Sequence, residues 1–92
     1  MRRRRQGRTE QYEAPEYRDL LARLSLNLRR LRDARGWTQE EAAHLCDMAT
    51  PLFQRVEGMA TNLTMTSLSR LCTGFKVDPR ELFRPGSRKQ SP

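Results

Sequence analysis

Residues 36–57, Gly-Trp-Thr-Gln-Glu-Glu-Ala-Ala-His-Leu-Cys-Asp-Met-Ala-Thr-Pro-Leu-Phe-Gln-Arg-Val-Glu, leave the backbone few choices. Gly36 can close a preceding helix, because glycine alone takes the left-handed C′ conformation without steric cost. Thr38 followed by Glu41 has the spacing of a capping box, so a new helix starts at about Thr38. A break follows at residues 46–49, where Asp47 is best able to tolerate a left-handed turn, and Pro51 suits a first helical position. The second helix of the pair then runs from Thr50 or Pro51 to Glu57. On a wheel of about 100° per residue, Phe53, Val56 and Glu57 share one side while Pro51, Gln54 and Arg55 face the other way.

Two helices this short, joined by a turn this tight, predict a helix-turn-helix. The outward side of the second helix has no apolar stripe of its own, yet it carries donor-rich side chains able to read base edges in a DNA major groove. The formal charge of +7, from 18 Lys and Arg against 11 Asp and Glu, favours a polyanionic partner through counterion release. Charge by itself separates DNA neither from RNA nor from an anionic membrane, nor from a merely soluble basic surface. No apolar run approaches the roughly 20 residues of a membrane span, and no signal-peptide apolar region follows the arginine-rich start, so a cytoplasmic chain is expected. A 92-residue chain with 36% hydrophobic content supports one small all-α domain, a compact five-helix bundle with a single marginal core. A partner subunit is a natural source of further stability for a core that small.

Residues 1–15 read as a flexible basic arm, with Arg2, Arg3, Arg4, Arg5 and Arg8 and almost nothing apolar. Such an arm either follows phosphates and a minor groove or is simply a solvated tail. Residues 16–84 carry the domain. Its first helix starts at Pro15 or Glu16, and Tyr17, Leu20, Leu21, Leu24, Leu28 and Leu31 form one stripe at spacings of three and four. Arg23, Arg29, Arg30 and Arg35 occupy the wetter sides. Helix 2, about residues 38–45, offers Ala42, Ala43 and Leu45 for burial, and Trp37 anchors the corner before it. After a loop at residues 58–62, Thr64 caps a fourth helix, Leu63 and Leu68 have the spacing of a hydrophobic staple, and Gly74 ends the helical period. Phe75 and Val77 return to the core, and Asp78-Pro79 opens a short fifth helix through Phe83. Residues 85–92 read as a flexible polar tail.

Cys46 and Cys72 fall within apolar helical patterns, where a free thiol behaves as a small buried hydrophobe. His44 with Cys46 falls short of the four ligands of a closed tetrahedral metal site, so neither a metal nor a cofactor is expected. One histidine, scattered carboxylates and no glycine-rich phosphate loop offer no pairing of nucleophile and base, and no enzyme is expected.

Over residues 24–83 the chain resembles the Cro and phage-repressor-like (Xre-type) helix-turn-helix domains. The likeness rests on Leu31-Arg32, on residues 36–43, on Phe53 with Val56-Glu57, and on residues 68–77. Within that family, residues 57–64 and Ser67-Leu68 look most like the controller proteins of restriction-modification systems, small homodimeric regulators of their own operon. The resemblance implies that Thr50, Pro51, Gln54 and Arg55 meet DNA bases. It implies that Thr38, Gln39, Thr61 and Asn62 lie along the DNA backbone, and that Arg32 and Glu57 form an ion pair tying the first helix to the reading helix. Three positions depart from the family pattern: Asp47 replaces a turn glycine, Ala49 a cap serine and Met59 a loop glycine.

These features favour a sequence-specific transcriptional regulator, a homodimer on a palindromic operator in double-stranded DNA. An antitoxin, or another module whose main partner is a protein, is the alternative, and a non-specific nucleic-acid binder a third reading. Phe75, Val77, Leu82 and Phe83 are many apolar groups for one short segment. They read as a dimer surface, or as side chains that simply close the monomer core.

Overall fold

The computed structural model describes residues 14–86. The expected basic arm up to Glu13 and the tail from Ser87 lie outside the described residues. Five helices follow one another: α1 (Pro15–Arg35), α2 (Gln39–Leu45), α3 (Thr50–Glu57), α4 (Met65–Phe75) and α5 (Pro79–Leu82), with no strand among the described residues. Among the described residues, no helix is long and apolar enough to cross a membrane.

Local chemistry explains where each helix begins. Pro15, Pro51 and Pro79 each occupy a first-turn position, where a missing N–H costs nothing. Thr38 and Glu41 close a reciprocal capping box, Glu41 N–H donating to Thr38 Oγ1 at 3.0 Å and Thr38 N–H to Glu41 Oε1 at 2.8 Å. Thr64 accepts from Ser67 N–H at 3.1 Å, and Asp78 from Arg80 N–H at 2.8 Å. Gly36 ends α1 at φ 70°, with its own N–H on Asp33 O and that of Trp37 on Arg32 O, both at 3.1 Å.

The core lies where α2, α3, α4 and α5 close over the second half of α1. Leu24, Leu28 and Leu31 meet Ala42, Ala43, Phe53, Val56, Leu71, Phe75 and Leu82 there. Phe75 sits between two rings, its centroid 5.3 Å from Trp37 and 6.4 Å from Phe53. The first half of the α1 stripe outruns this core. Leu20 is 50% exposed, and Tyr17 and Leu21 are half-buried in a shallow groove shared with Leu63, Leu68 and Phe83.

Other differences from the sequence reading have plain causes. Leu45 is 49% exposed, because α2 turns immediately after it and the turn residues Cys46 and Met48 take the buried places instead. Helix α4 continues through Gly74 and ends at Lys76, a non-glycine residue at φ 57°. Gly74 is therefore a point of close approach: a Cβ there would lie 2.4 Å from Cys46 Sγ, 2.8 Å from Cys46 Cα and 2.9 Å from Leu45 O. Two polar residues that the stripe did not single out are buried, Ser25 and Asn27. The amide of Asn27 donates to Leu82 O at 3.1 Å and Arg84 O at 3.0 Å, fastening α5 and the residues after it to α1.

Met59, where the resemblance leads one to expect a loop glycine, takes the left-handed conformation that glycine favours, at φ 60°. A left-handed non-glycine residue costs about 1 to 2 kcal/mol, partly offset by the extra chain entropy that glycine loses on folding. Met59→Gly should raise stability by about 0.5 to 1 kcal/mol and Tm by a few degrees. A calorimetric scan showing a lower Tm would mean that the Met59 side chain contributes more than its backbone strains.

Both cysteines are free. Burial pushes the Cys46 thiol up from 9.0 to about 11, and that of Cys72 upward as well. The folded Cys46 thus holds its proton to a higher pH than the unfolded one. Its contribution is intact below about pH 9 and is lost as the pH climbs towards 11, at most roughly 2 to 3 kcal/mol. Urea unfolding at pH 7.5 and 10.5 should show this loss in the parent and a smaller one in Cys46→Ala; equal losses would place the alkaline sensitivity elsewhere.

Candidate nucleic-acid interface

The turn between α2 and α3 rests on Asp47 at φ 56°, after which Met48 N–H returns to Ala43 O at 2.9 Å. This angle between the helices sets which side of α3 is hidden. Phe53, Val56 and Glu57 are buried, while Pro51, Gln54 and Arg55 are exposed and Thr50 is half-buried at the helix start. The Arg55 side chain makes no hydrogen bond or ion pair among the described residues, so its guanidinium is available to an external acceptor.

The inner side of α3 is held by charge. Glu57 is 1% exposed, and Arg32 reaches it from α1 with two bonds, Nε to Oε2 at 2.6 Å and Nη2 to Oε1 at 3.2 Å. Arg32 also donates to Trp37 O at 3.0 Å. Hydrogen bonding to the Glu57 carboxylate raises the Arg32 pKa above its ordinary value, so the guanidinium keeps its charge. The backbone carbonyl of Glu57 is gripped as well, accepting from Ser25 Oγ and from Arg29 Nη2 at 3.3 Å. A cation at the last carbonyl of a helix also suits its dipole. Neither Ser25 nor Arg29 had a sequence signal for this role, since one sits inside a leucine pattern and the other on what reads as a solvated face.

The residues expected along a DNA backbone are placed around this helix. Thr38 is occupied by its capping box. Gln39 turns its side chain towards α3, Nε2 donating to Glu57 Oε1 at 2.9 Å and Oε1 accepting from Gln54 Nε2 at 3.2 Å. Thr61 is half-buried and Asn62 exposed in the loop after α3, where Asn62 Oδ1 accepts from Leu63 N–H at 2.9 Å. The apolar segment beyond α4 divides. Phe75, at 1% exposure, and Leu82, at 0%, fill the core and offer no surface to another chain, whereas Val77 and Phe83 are half-buried at its edge. The expectation of a four-residue dimer surface is thus corrected for Phe75 and Leu82, which are consumed in covering Trp37, Phe53 and α1.

The sequence matches the helix-turn-helix domain family over residues 23–84. The chain belongs to that family. This helix-turn-helix domain is 30% identical over 73 residues to the Neisseria hypothetical transcription factor of Neisseria meningitidis serogroup B, covering 79% of this chain and 69% of that one. Among solved structures, the hypothetical transcription factor NHTF from Neisseria superposes with a TM-score of 0.70 at 27% identity, covering 77% of this chain and 82% of the other. The restriction-modification controller protein C.AhdI from Aeromonas hydrophila superposes with a TM-score of 0.65 at 33% identity, over 68% of this chain and 96% of the controller.

Proposed function

We propose that this helix-turn-helix domain is a sequence-specific DNA-binding transcription regulator that lays α3 in the major groove and acts as a homodimer on a palindromic operator. The observation that carries this reading is the two-sidedness of α3: a buried ion pair fixes its inner side while Thr50, Pro51, Gln54 and Arg55 stand outward. Relatives named as a transcription factor and a restriction-modification controller support it, as does the formal charge of +7. Arg55 is the residue assigned to a guanine edge, since its forked guanidinium matches the two acceptors N7 and O6. Thr61 and Asn62 run beside the phosphates. A second copy meets the first partly through Val77 and Phe83.

The test is selection of random duplexes by the purified full chain at about 150 mM salt with excess competitor DNA, where screening suppresses purely electrostatic binding. The expected product is a palindrome with half-sites about one helical turn apart. Arg55→Ala should then cost about 1 to 3 kcal/mol and relax preference at one base pair per half-site. Failure to enrich any sequence would refute the proposal, and uniform weakening by Arg55→Ala would make that arginine a phosphate contact.

A further inference from the structure

Helix α1 turns a line of polar groups towards the chain that leaves α3. Ser25 Oγ and Arg29 Nη2 both reach Glu57 O, which fixes the side of α1 facing the end of the reading helix. Arg18 is 11 residues before Arg29, close to three full turns. The two arginines therefore stand within about 20° of one line and about 16 Å apart along the axis. The loop after α3 follows that line backwards. At its far end Tyr17, Arg18 and Leu21 share a cleft with Met59, Ala60 and Thr61. The loop thus has Arg29 at its start and Arg18 towards its end.

The Arg18 side chain is exposed and makes no hydrogen bond or ion pair among the described residues. The places three and four residues away, where a helical ion pair forms, hold Ala14, Pro15, Leu21 and Ala22. Asp19, next in sequence, is taken by Arg23 at 2.9 Å. Arg18 also lies one turn from the N-terminus of α1, where the helix dipole disfavours a cation. It stands ahead of residue 23, where the match to the family begins. A charge that its own helix neither pairs nor favours, set beside a loop assigned to DNA, fits a phosphate. We infer that Arg18 is a phosphate contact, held by α1 beside Thr61, which carries the DNA-backbone track one step beyond the loop in each half-site. This inference rests on the placing of Thr61 and Asn62 beside the phosphates above.

The experiment measures binding of the full-length parent, Arg18→Ala, Arg18→Lys and Arg84→Ala to the selected operator across about 50 to 200 mM salt, with a thermal melt of each. Arg84→Ala removes the same charge from the other side of α1, because the Arg84 carbonyl accepts from Asn27, about 180° around the helix from Arg18. Arg18→Ala should flatten the slope of log K against log salt by about 0.9 per half-site, about 1.8 for a dimer, and weaken binding about 10-fold at about 150 mM. Arg18→Lys should keep the slope. Base preference should be the same in all four proteins, since phosphate contacts carry no sequence information. The Tm of Arg18→Ala should match or slightly exceed that of the parent. A slope in Arg18→Ala equal to that in Arg84→Ala overturns the contact. So does weaker binding with a Tm lowered by more than about 4 °C, the mark of a structural role, or a loss confined to particular base pairs. If the parent selects no operator, the same slopes are read on a random duplex. A drop confined to Arg18→Ala then upholds the contact while the sequence-reading assignment of α3 falls, so the two fail separately.

Discussion

Glu57→Ala should lower the unfolding free energy by about 3 to 5 kcal/mol, a large part of the roughly 5 to 15 kcal/mol available to a domain of this kind. The carboxylate is buried against Arg32, whose side chain is itself only 18% exposed. Removing the carboxylate leaves a guanidinium without its partner in a site from which water is largely excluded, and it frees the Gln39 amide as well. Ser25 and Arg29 still hold the backbone carbonyl of residue 57, so the end of α3 should stay near α1 while its axis is released. For a chain of this length the thermal midpoint should fall by more than about 10 °C. The double replacement Arg32→Met with Glu57→Leu should cost far less, because apolar groups of similar volume often substitute for a buried pair without net loss. A circular-dichroism melt of Glu57→Ala within about 2 °C of the parent would refute this account of the pair.

Gly74→Ala should be nearly as damaging, although alanine is the better helix former by about 1 kcal/mol. The added methyl group would meet Cys46 Cα at 2.8 Å and Leu45 O at 2.9 Å, both main-chain atoms that no rotamer change can move. Helix α4 and the end of α2 must separate, and overpacking of this kind costs about 1 to 3 kcal/mol or more beyond the propensity gained. Truncation of the sulfur offers a control. Cys46→Ala removes the 2.4 Å contact with Sγ and leaves the two main-chain contacts, so combining it with Gly74→Ala should recover only part of the loss. The check is urea unfolding of the parent, both single variants and the pair; a Gly74→Ala protein as stable as the parent would show that the two helices are free to spread.

The positions that sequence reading placed well share a short range. Gly36, the Thr38–Glu41 box, Asp47, Thr64 and Asp78 act on backbone groups within a few residues, so their effect is written in the local chain. The split of α3 into a hidden face with Phe53, Val56 and Glu57 and an open face with Gln54 and Arg55 follows from helical period alone. Gly74 was misread for the same reason that Gly36 was read correctly: a glycine after an apolar period signals a helix stop, and nothing local reveals that a neighbouring backbone passes too close for a side chain.

By itself, then, the sequence determined the number of the helices and where each begins, the tight turn between α2 and α3, and the outward face of α3. All of these depend on steric and hydrogen-bonding preferences among residues at most a few positions apart. Tertiary structure alone decided how deep each apolar residue lies, leaving Leu20 and Leu45 half exposed while enclosing Phe75 and Leu82. It also decided which further polar groups are buried and what holds them: Asn27 meets carbonyls 55 and 57 residues away, and Gln39 meets Glu57 at a separation of 18. Periodicity names the face that a side chain occupies, but its burial and the direction of its hydrogen bonds are set by the atoms that distant segments bring against it.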